Sequence, residues 1–175
     1  FPWRGIATGE VTWLLAVDKK PLPKSYEFAG EYQSVATFLE KTAPTGFLVL
    51  KDGVIVHEEY RLGADATSRF TSWSMAKSVL SALIGIALEE GFIESLGDPL
   101  DLYLPNLAGS GYAGVTIEEA LTMSSGVSFD EDYDNPMSDV IRLFFSLAAC
   151  TPMREILAGL EQQRPPGAYN DYISS

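Results

Sequence analysis

The stretch from Thr45 to Gly63, TGFLVLKDGVIVHEEYRLG, constrains the fold more than any other part of the chain. Two runs rich in β-branched and aromatic residues flank Lys51-Asp52-Gly53, and Asp-Gly between such runs is a strong β-hairpin signal. Phe47 to Leu50 form a nearly continuous apolar run, as in a strand covered on both faces. A lone two-stranded hairpin is marginal in water and leaves its edges unpaired, so this one needs neighbours. His57 lies in the second strand beside Glu58 and Glu59. It reads as a solvated strand position, not a catalytic histidine.

A different period follows in RFTSWSMAKSVLSALIGIALEEG. Val79, Leu80, Leu83, Ile84, Ala87 and Leu88 recur at three- and four-residue steps, which predicts a helix from about Ser74 to Glu90, stopped by Gly91. It is the most hydrophobic helix in the chain and is expected to be a buried rod. Upstream, residues 1 to about 33 read as a mostly irregular surface arm, after which Ser34 caps a short helix, VATFLEKT. Downstream, GDPLDLYLPNL is a Pro-punctuated connector. TIEEALTMSSG opens with a capping box, Thr116 with Glu119, and closes at Gly126. NPMSDVIRLFFSLAA and TPMREILAGLEQ predict two more helices, the second with Thr151 as cap and Pro152 at its first position. Strands followed by a run of helices point to an α+β fold.

Composition narrows the partners. A net charge of −12 over 175 residues argues against phosphate backbones and anionic membranes. One cysteine, Cys150, excludes an internal disulfide framework, and one histidine cannot build a multi-histidine metal site. No apolar run reaches the ~20 residues that a membrane-spanning helix needs. Neither a metal nor an organic cofactor is expected.

The chemistry concentrates at the start of the apolar helix. A serine hydroxyl is a weak nucleophile until a base takes its proton, and the one histidine is badly placed to do so. Ser74 and Lys77 stand at i and i+3 of a helix, where side chains share a face. A lysine, with a reference pKa of about 10.4, serves as a base when desolvated or crowded by positive partners. The helix N-terminus supplies such a push and can also stabilise an oxyanion, with the Ser74 N–H as one half of the hole. Ser-x-x-Lys arises by chance roughly once in a chain this long, so its position matters more than the pattern. The competing reading is that Thr71, Ser72 and Ser74 are only capping residues.

The ordered blocks GFLVLKDGVIVHEEY, SWSMAKSVLSALIGIALEEG, DPLDLYLP, VTIEEALTMSSGVSF and RPPGAYNDYISS resemble the serine β-lactamase and penicillin-binding-protein superfamily. Within it the likeness is to class C β-lactamase-like esterases, and GVSFDEDYDNPMSDV resembles the 6-aminohexanoate-dimer hydrolase type. The resemblance runs from about residue 45 to the end of the chain. It implies a β-lactamase/transpeptidase-like fold, of which this chain holds the N-terminal hairpin of the antiparallel sheet and the helical domain. The expected division is an arm with a short helix over 1–44, the hairpin over 45–73, and the central helix with the helical domain over 74–175. The later strands, the Lys/His-Thr-Gly-like motif and the C-terminal helix are missing. The resemblance therefore also implies a complementary C-terminal polypeptide completing the sheet.

The same resemblance implies a serine hydrolase acting on a small-molecule ester or amide through an acyl-enzyme. Ser74 would be acylated, with Lys77 and Tyr172 relaying the proton. Tyr169 is the competing assignment for the tyrosine. Ser174 stands where the family's second motif usually has Asn, and Tyr133 matches a residue that contacts the substrate amide in the nylon-oligomer hydrolases; packing as a loop aromatic is its alternative. Other substrates within reach are β-lactams and D-alanyl-D-alanine peptides. A non-catalytic peptide-binding module of the same fold is the reading from another class.

Overall fold

The computed structural model describes residues 5–7 and 9–174. The chain divides into two compact units at Thr71/Ser72. The first thus combines the arm with the hairpin.

In the first unit the hairpin forms as its sequence predicts, from β4 (Gly46–Lys51) and β5 (Val54–Tyr60). Asp52 and Gly53 take φ of 51° and 76°, the left-handed pair that a tight two-residue turn requires. The expected cover on both faces of Phe47–Leu50 is not found: Phe47 and Val49 are half-buried, whereas Leu48 and Leu50 are exposed. Side chains alternate between the two faces of a strand, and only the face carrying Phe47 and Val49 is packed against other residues. In the sheet order β1-β5-β4, β4 is an outer strand whose other edge is unpaired among the described residues. β1 (Ala16–Val17) adds a short parallel pairing to β5.

The arm is not irregular. β2 (Ser25–Phe28) and β3 (Glu31–Ser34) form an antiparallel hairpin around Ala29 and Gly30, with φ of 53° and 80°. Sequence patterning missed it because both strands are only four residues long, and because Ala-Gly lacks the Asn or Asp that marks such turns. Helix α1 (Val35–Thr42) follows with Ser34 as cap, its hydroxyl accepting from the Thr37 N–H at 3.3 Å. His57 is half-buried, 3.3 Å from Glu59 and edge-on to Phe47.

The second unit opens with α2 (Met75–Glu89). Gly91 follows in the left-handed region, φ 76°, while its N–H bonds to Leu88 O and that of Phe92 to Ala87 O. These two bonds are the Schellman ending that a glycine past the last turn permits. The expected burial of α2 does not occur: no residue of it is buried, and Val79, Leu80, Leu83 and Ile86 are exposed. Ile84, Ala87 and Leu88 are half-buried, while the side bearing Val79, Leu83 and Ile86 lies open among the described residues.

The core of this unit lies further along. Leu107, Tyr112, Val115, Val127 and Ile173 pack together, with Leu100, Phe129, Leu157 and Leu160 against them. One-turn α3 (Leu100–Tyr103) and the 3-10 turn Pro105–Leu107 occupy the predicted connector. α4 (Ile117–Leu121) carries the full Thr116–Glu119 capping box but ends five residues short of Gly126. There Met123 turns left-handed at φ 56°. α5 (Asp139–Ala148), capped by Ser138, buries Val140 and Leu143, each contributing roughly 1.5–3 kcal/mol by leaving water. α6 (Met153–Leu157) is shorter than predicted. Pro152, not Thr151, is its cap: with ψ of 130° the proline is itself extended, so the helix begins one residue later than expected.

Two glycines admit close backbone crossings. A Cβ on Gly111 would collide with the Glu161–Gln162 peptide, and one on Gly126 with the Arg164 carbonyl. Gly126 also has φ of 73°, and its carbonyl accepts from the Gln163 and Arg164 N–H groups. Gly126→Ala combines backbone strain with overpacking and is expected to cost about 2–4 kcal/mol. Chemical denaturation measures this; an unchanged midpoint would mean that the crossing yields without resistance. No helix among the described residues is long and apolar enough to cross a membrane.

Candidate active site

Ser74 stands at the N-cap of α2 but does not cap it. A capping serine is normally extended, its oxygen accepting from the next turn. Ser74 instead has φ −66° and ψ −8°, and its side chain makes no capping bond. The residue before it is under strain: Trp73 has φ of 47°, rare for a bulky side chain, at a cost of order 1–3 kcal/mol. Its ring meets Phe144 of α5 edge-on, 6.0 Å between centroids. The first turn of α2 is tight, with Met75, Ala76 and Lys77 donating to Ser72, Trp73 and Ser74 at 3.0–3.1 Å. The Ser74 N–H meets no acceptor among the described residues. The capping explanation of Ser74 therefore fails, and its hydroxyl is available.

That hydroxyl is met from the far end of the chain. Residues 163–173 are strapped along 122–127 by the bonds to Gly126 O, by Gly167 N–H to Ser124 O at 2.8 Å, and by Asp171 N–H to Met123 O at 2.7 Å. The Asn170 amide donates to Thr122 O. Ile173 is sunk in the core. With Ile173 turned inward, Tyr172 and Ser174 on either side of it are free to face outward. The Tyr172 phenol donates to Ser74 Oγ at 2.5 Å. Lys77 Nζ sits 5.0 Å from the centroid of the same ring, within cation–π range. Tyr169 is more exposed and lies against the Arg164 guanidinium, 5.1 Å from it. The structure thus brings Ser74, Lys77 and Tyr172 together and leaves Tyr169 out.

The electrostatics of this trio favour ionising the phenol. The Tyr172 pKa is lowered from its ordinary value first by the Ser74 hydroxyl, which can donate to a phenolate once the proton has left, and then by Lys77 beside it. Partial desolvation and the Glu131 carboxylate oppose the shift. Lys77 is half-buried and makes no ion pair among the described residues. It also lines a mainly apolar cavity of about 240 Å³ with Leu80, Ile84, Ile117, Met123 and Ile173.

Ser174 and Tyr133 converge on one carboxylate. Ser174 Oγ donates to Glu131 Oε1 at 2.6 Å, the Ser174 N–H donates to Oε2 at 2.9 Å, and the Tyr133 phenol donates to Oε1 at 2.7 Å. Glu131 holds the Tyr133 phenol above its ordinary pKa, so this tyrosine keeps its proton. The Tyr133 ring also lies 6.3 Å from that of Phe144, so it packs as a loop aromatic as well. Sequence reasoning missed Glu131 and Trp73. Glu131 is one carboxylate in the run Asp130-Glu131-Asp132-Tyr133-Asp134, and nothing in residue type distinguishes it from its neighbours. No group of three or more His, Cys, Asp or Glu side chains among the described residues could hold a metal ion.

Comparison with known proteins gives the class to which the chain belongs. The family model described as Beta-lactamase matches residues 28–173, and the chain belongs to that family. It is similar to the 6-aminohexanoate-dimer hydrolase of Paenarthrobacter ureafaciens, 30% identical over 145 residues, which are 79% of this chain and 37% of that protein. The fold is similar to a solved structure named "Putative 6-aminohexanoate-dimer hydrolase from Bacillus anthracis". The TM-score is 0.76 at 21% identity, over 90% of this chain and 44% of that one. The chain therefore spans less than half the length of these relatives. The expected β-lactamase-like α+β architecture, in its N-terminal portion, is the one found.

Proposed function

We propose that this chain carries the acylation machinery of a serine hydrolase that cleaves a carboxylic ester or amide. What supports this most is the 2.5 Å contact between the Tyr172 phenol and Ser74 Oγ with Lys77 against the same ring. Ser74 Oγ attacks the carbonyl carbon while its proton passes to the Tyr172–Lys77 pair. The resulting oxyanion takes a hydrogen bond from the Ser74 N–H at the positive end of α2. Collapse expels the alcohol or amine, which leaves with the relayed proton, and water then releases the acid by the same route in reverse. Because phenol and ammonium interact, the proton belongs to the pair, and the pH dependence reports the pair.

A complementary polypeptide is part of this proposal. The open side of α2 at Val79, Leu83 and Ile86 and the edge of β4, unpaired among the described residues, support a further segment that completes the sheet and supplies a second oxyanion donor.

The test is covalent labelling with a fluorophosphonate, mapped by mass spectrometry. One label per chain on Ser74, and none in Ser74→Ala, is expected. Labelling elsewhere, or none when the complementary segment is present, would sink the serine mechanism. Equal labelling with and without that segment would leave no role for it.

A further inference from the structure

We propose that Phe144 is a positioning residue for acylation: its ring holds Trp73 in the left-handed backbone conformation that aims the Ser74 N–H and hydroxyl at the bound carbonyl. The inference rests on the serine-hydrolase reading and adds to it a residue from a different helix.

Trp73 and Ser74 share one peptide unit, which carries the Trp73 carbonyl and the Ser74 N–H. The carbonyl accepts from the Ala76 N–H at 3.0 Å, inside the first turn of α2. A planar peptide turns as one piece, so the backbone angles of Trp73 set where the Ser74 N–H points. Those angles are costly. A φ of 47° crowds Cβ against the following carbonyl oxygen, and a bulky side chain rarely accepts it. Trp73 is also 68% exposed, so burial of its own ring does little to keep it there.

The indole meets Phe144 edge-on, at 82° between ring planes and 6.0 Å between centroids. T-shaped pairs of this kind add enough attraction to shift a conformational balance about two- to tenfold. Phe144 in turn stands on a fixed base. It follows fully buried Val140 by four residues on the same face of α5, whereas its neighbour Phe145 is exposed. Its ring also lies 6.3 Å from that of Tyr133, whose phenol is tied to Glu131 at 2.7 Å. The relay runs from the core under α5, through one ring pair, to the peptide before the nucleophile. Phe144 therefore acts through Trp73.

The rate constant for fluorophosphonate labelling of Ser74 is measured with the complementary segment present. The proteins compared are wild type, Phe144→Ala, Phe144→Leu, Trp73→Ala, Trp73→Gly and the Trp73→Gly/Phe144→Ala double variant, each with its thermal midpoint. Phe144→Ala is expected to slow labelling about tenfold, and Phe144→Leu, which keeps apolar volume without a ring edge, about threefold. Trp73→Gly should label about fivefold faster than Trp73→Ala, because glycine takes a positive φ freely and alanine does not. In the Trp73→Gly background, Phe144→Ala should slow labelling no further, since no ring is left to hold and no strain to offset. A role in helix stability alone predicts the opposite order at position 73, alanine above glycine.

Phe144→Ala labelling at the wild-type rate, Trp73→Ala labelling as fast as Trp73→Gly, or losses that multiply in the double variant overturn the proposal. So does slow labelling of Phe144→Ala that comes with a lowered thermal midpoint while Phe144→Leu labels normally. Each of these leaves Ser74 reactive and the serine mechanism standing. A wild type that takes no label on Ser74 would overturn that mechanism and this proposal together.

Discussion

Replacing Lys77 with methionine is expected to slow acylation of Ser74 by about three to four orders of magnitude while leaving the fold intact. General base assistance is typically worth 10²- to 10⁴-fold, and a serine without it stays a protonated alcohol. Lys77 also supports the lowered pKa of the Tyr172 phenol, so its loss weakens both members of the pair and places the effect near the upper limit. Packing should hardly suffer. The side chain lines a cavity shared with Leu80, Ile84 and Ile173, and a methionine of similar length suits such walls. Lys77→Arg separates base from charge. Arginine keeps the positive charge but does not give up its proton near neutral pH, so it should stay almost as inactive if the amine takes part in proton transfer. The rate constant for fluorophosphonate labelling measures both variants, with circular dichroism as the check on folding. An arginine variant within tenfold of wild type would reduce Lys77 to an electrostatic role.

How much of this could be read from residues alone depended on where the determining interactions lie along the chain. The β4–β5 hairpin, α1 with its Ser34 cap and the Thr116–Glu119 box were legible because each is decided within about ten residues by turn chemistry, capping oxygens or periodicity. The β2–β3 hairpin was not, since its strands are only four residues each, too short for a period to register, and its Ala-Gly turn lacks the usual Asn or Asp. The helical repeat of α2 was legible and its exposure was not, because burial depends on what covers a face. The site divides in the same way. Ser74 and Lys77 are neighbours in sequence. The choice between Tyr169 and Tyr172 is made by Ile173 entering the core and by backbone bonds from Gly167 and Asp171 to a turn more than 40 residues upstream. Glu131 is selected by contacts 43 residues away. No local pattern encodes either.

Tyr172→Phe removes one oxygen and is expected to cost 10²- to 10⁴-fold in kcat/KM, with a changed pH profile as the more telling result. In the intact protein the phenol pKa is drawn down, first by Ser74 and then by Lys77, so the phenolate fraction grows as pH rises toward a value below the ordinary tyrosine range. If the phenolate takes the serine proton, kcat/KM climbs with pH through that lowered value and then levels. Phenylalanine cannot ionise, so this ascending limb should vanish. The contact also restrains Ser74 in the ground state, since the neutral phenol donates to Oγ at 2.5 Å. Ser74 has helical φ and ψ, so freeing its hydroxyl does not create a cap, and losing one exposed hydrogen bond should change stability by about 1 kcal/mol or less while activity falls far more. A collapsed rate and a flattened limb at nearly unchanged stability are the signature of a serine held for chemistry. An unaltered pH profile would hand the proton to Lys77 alone and leave Tyr172 as a clamp.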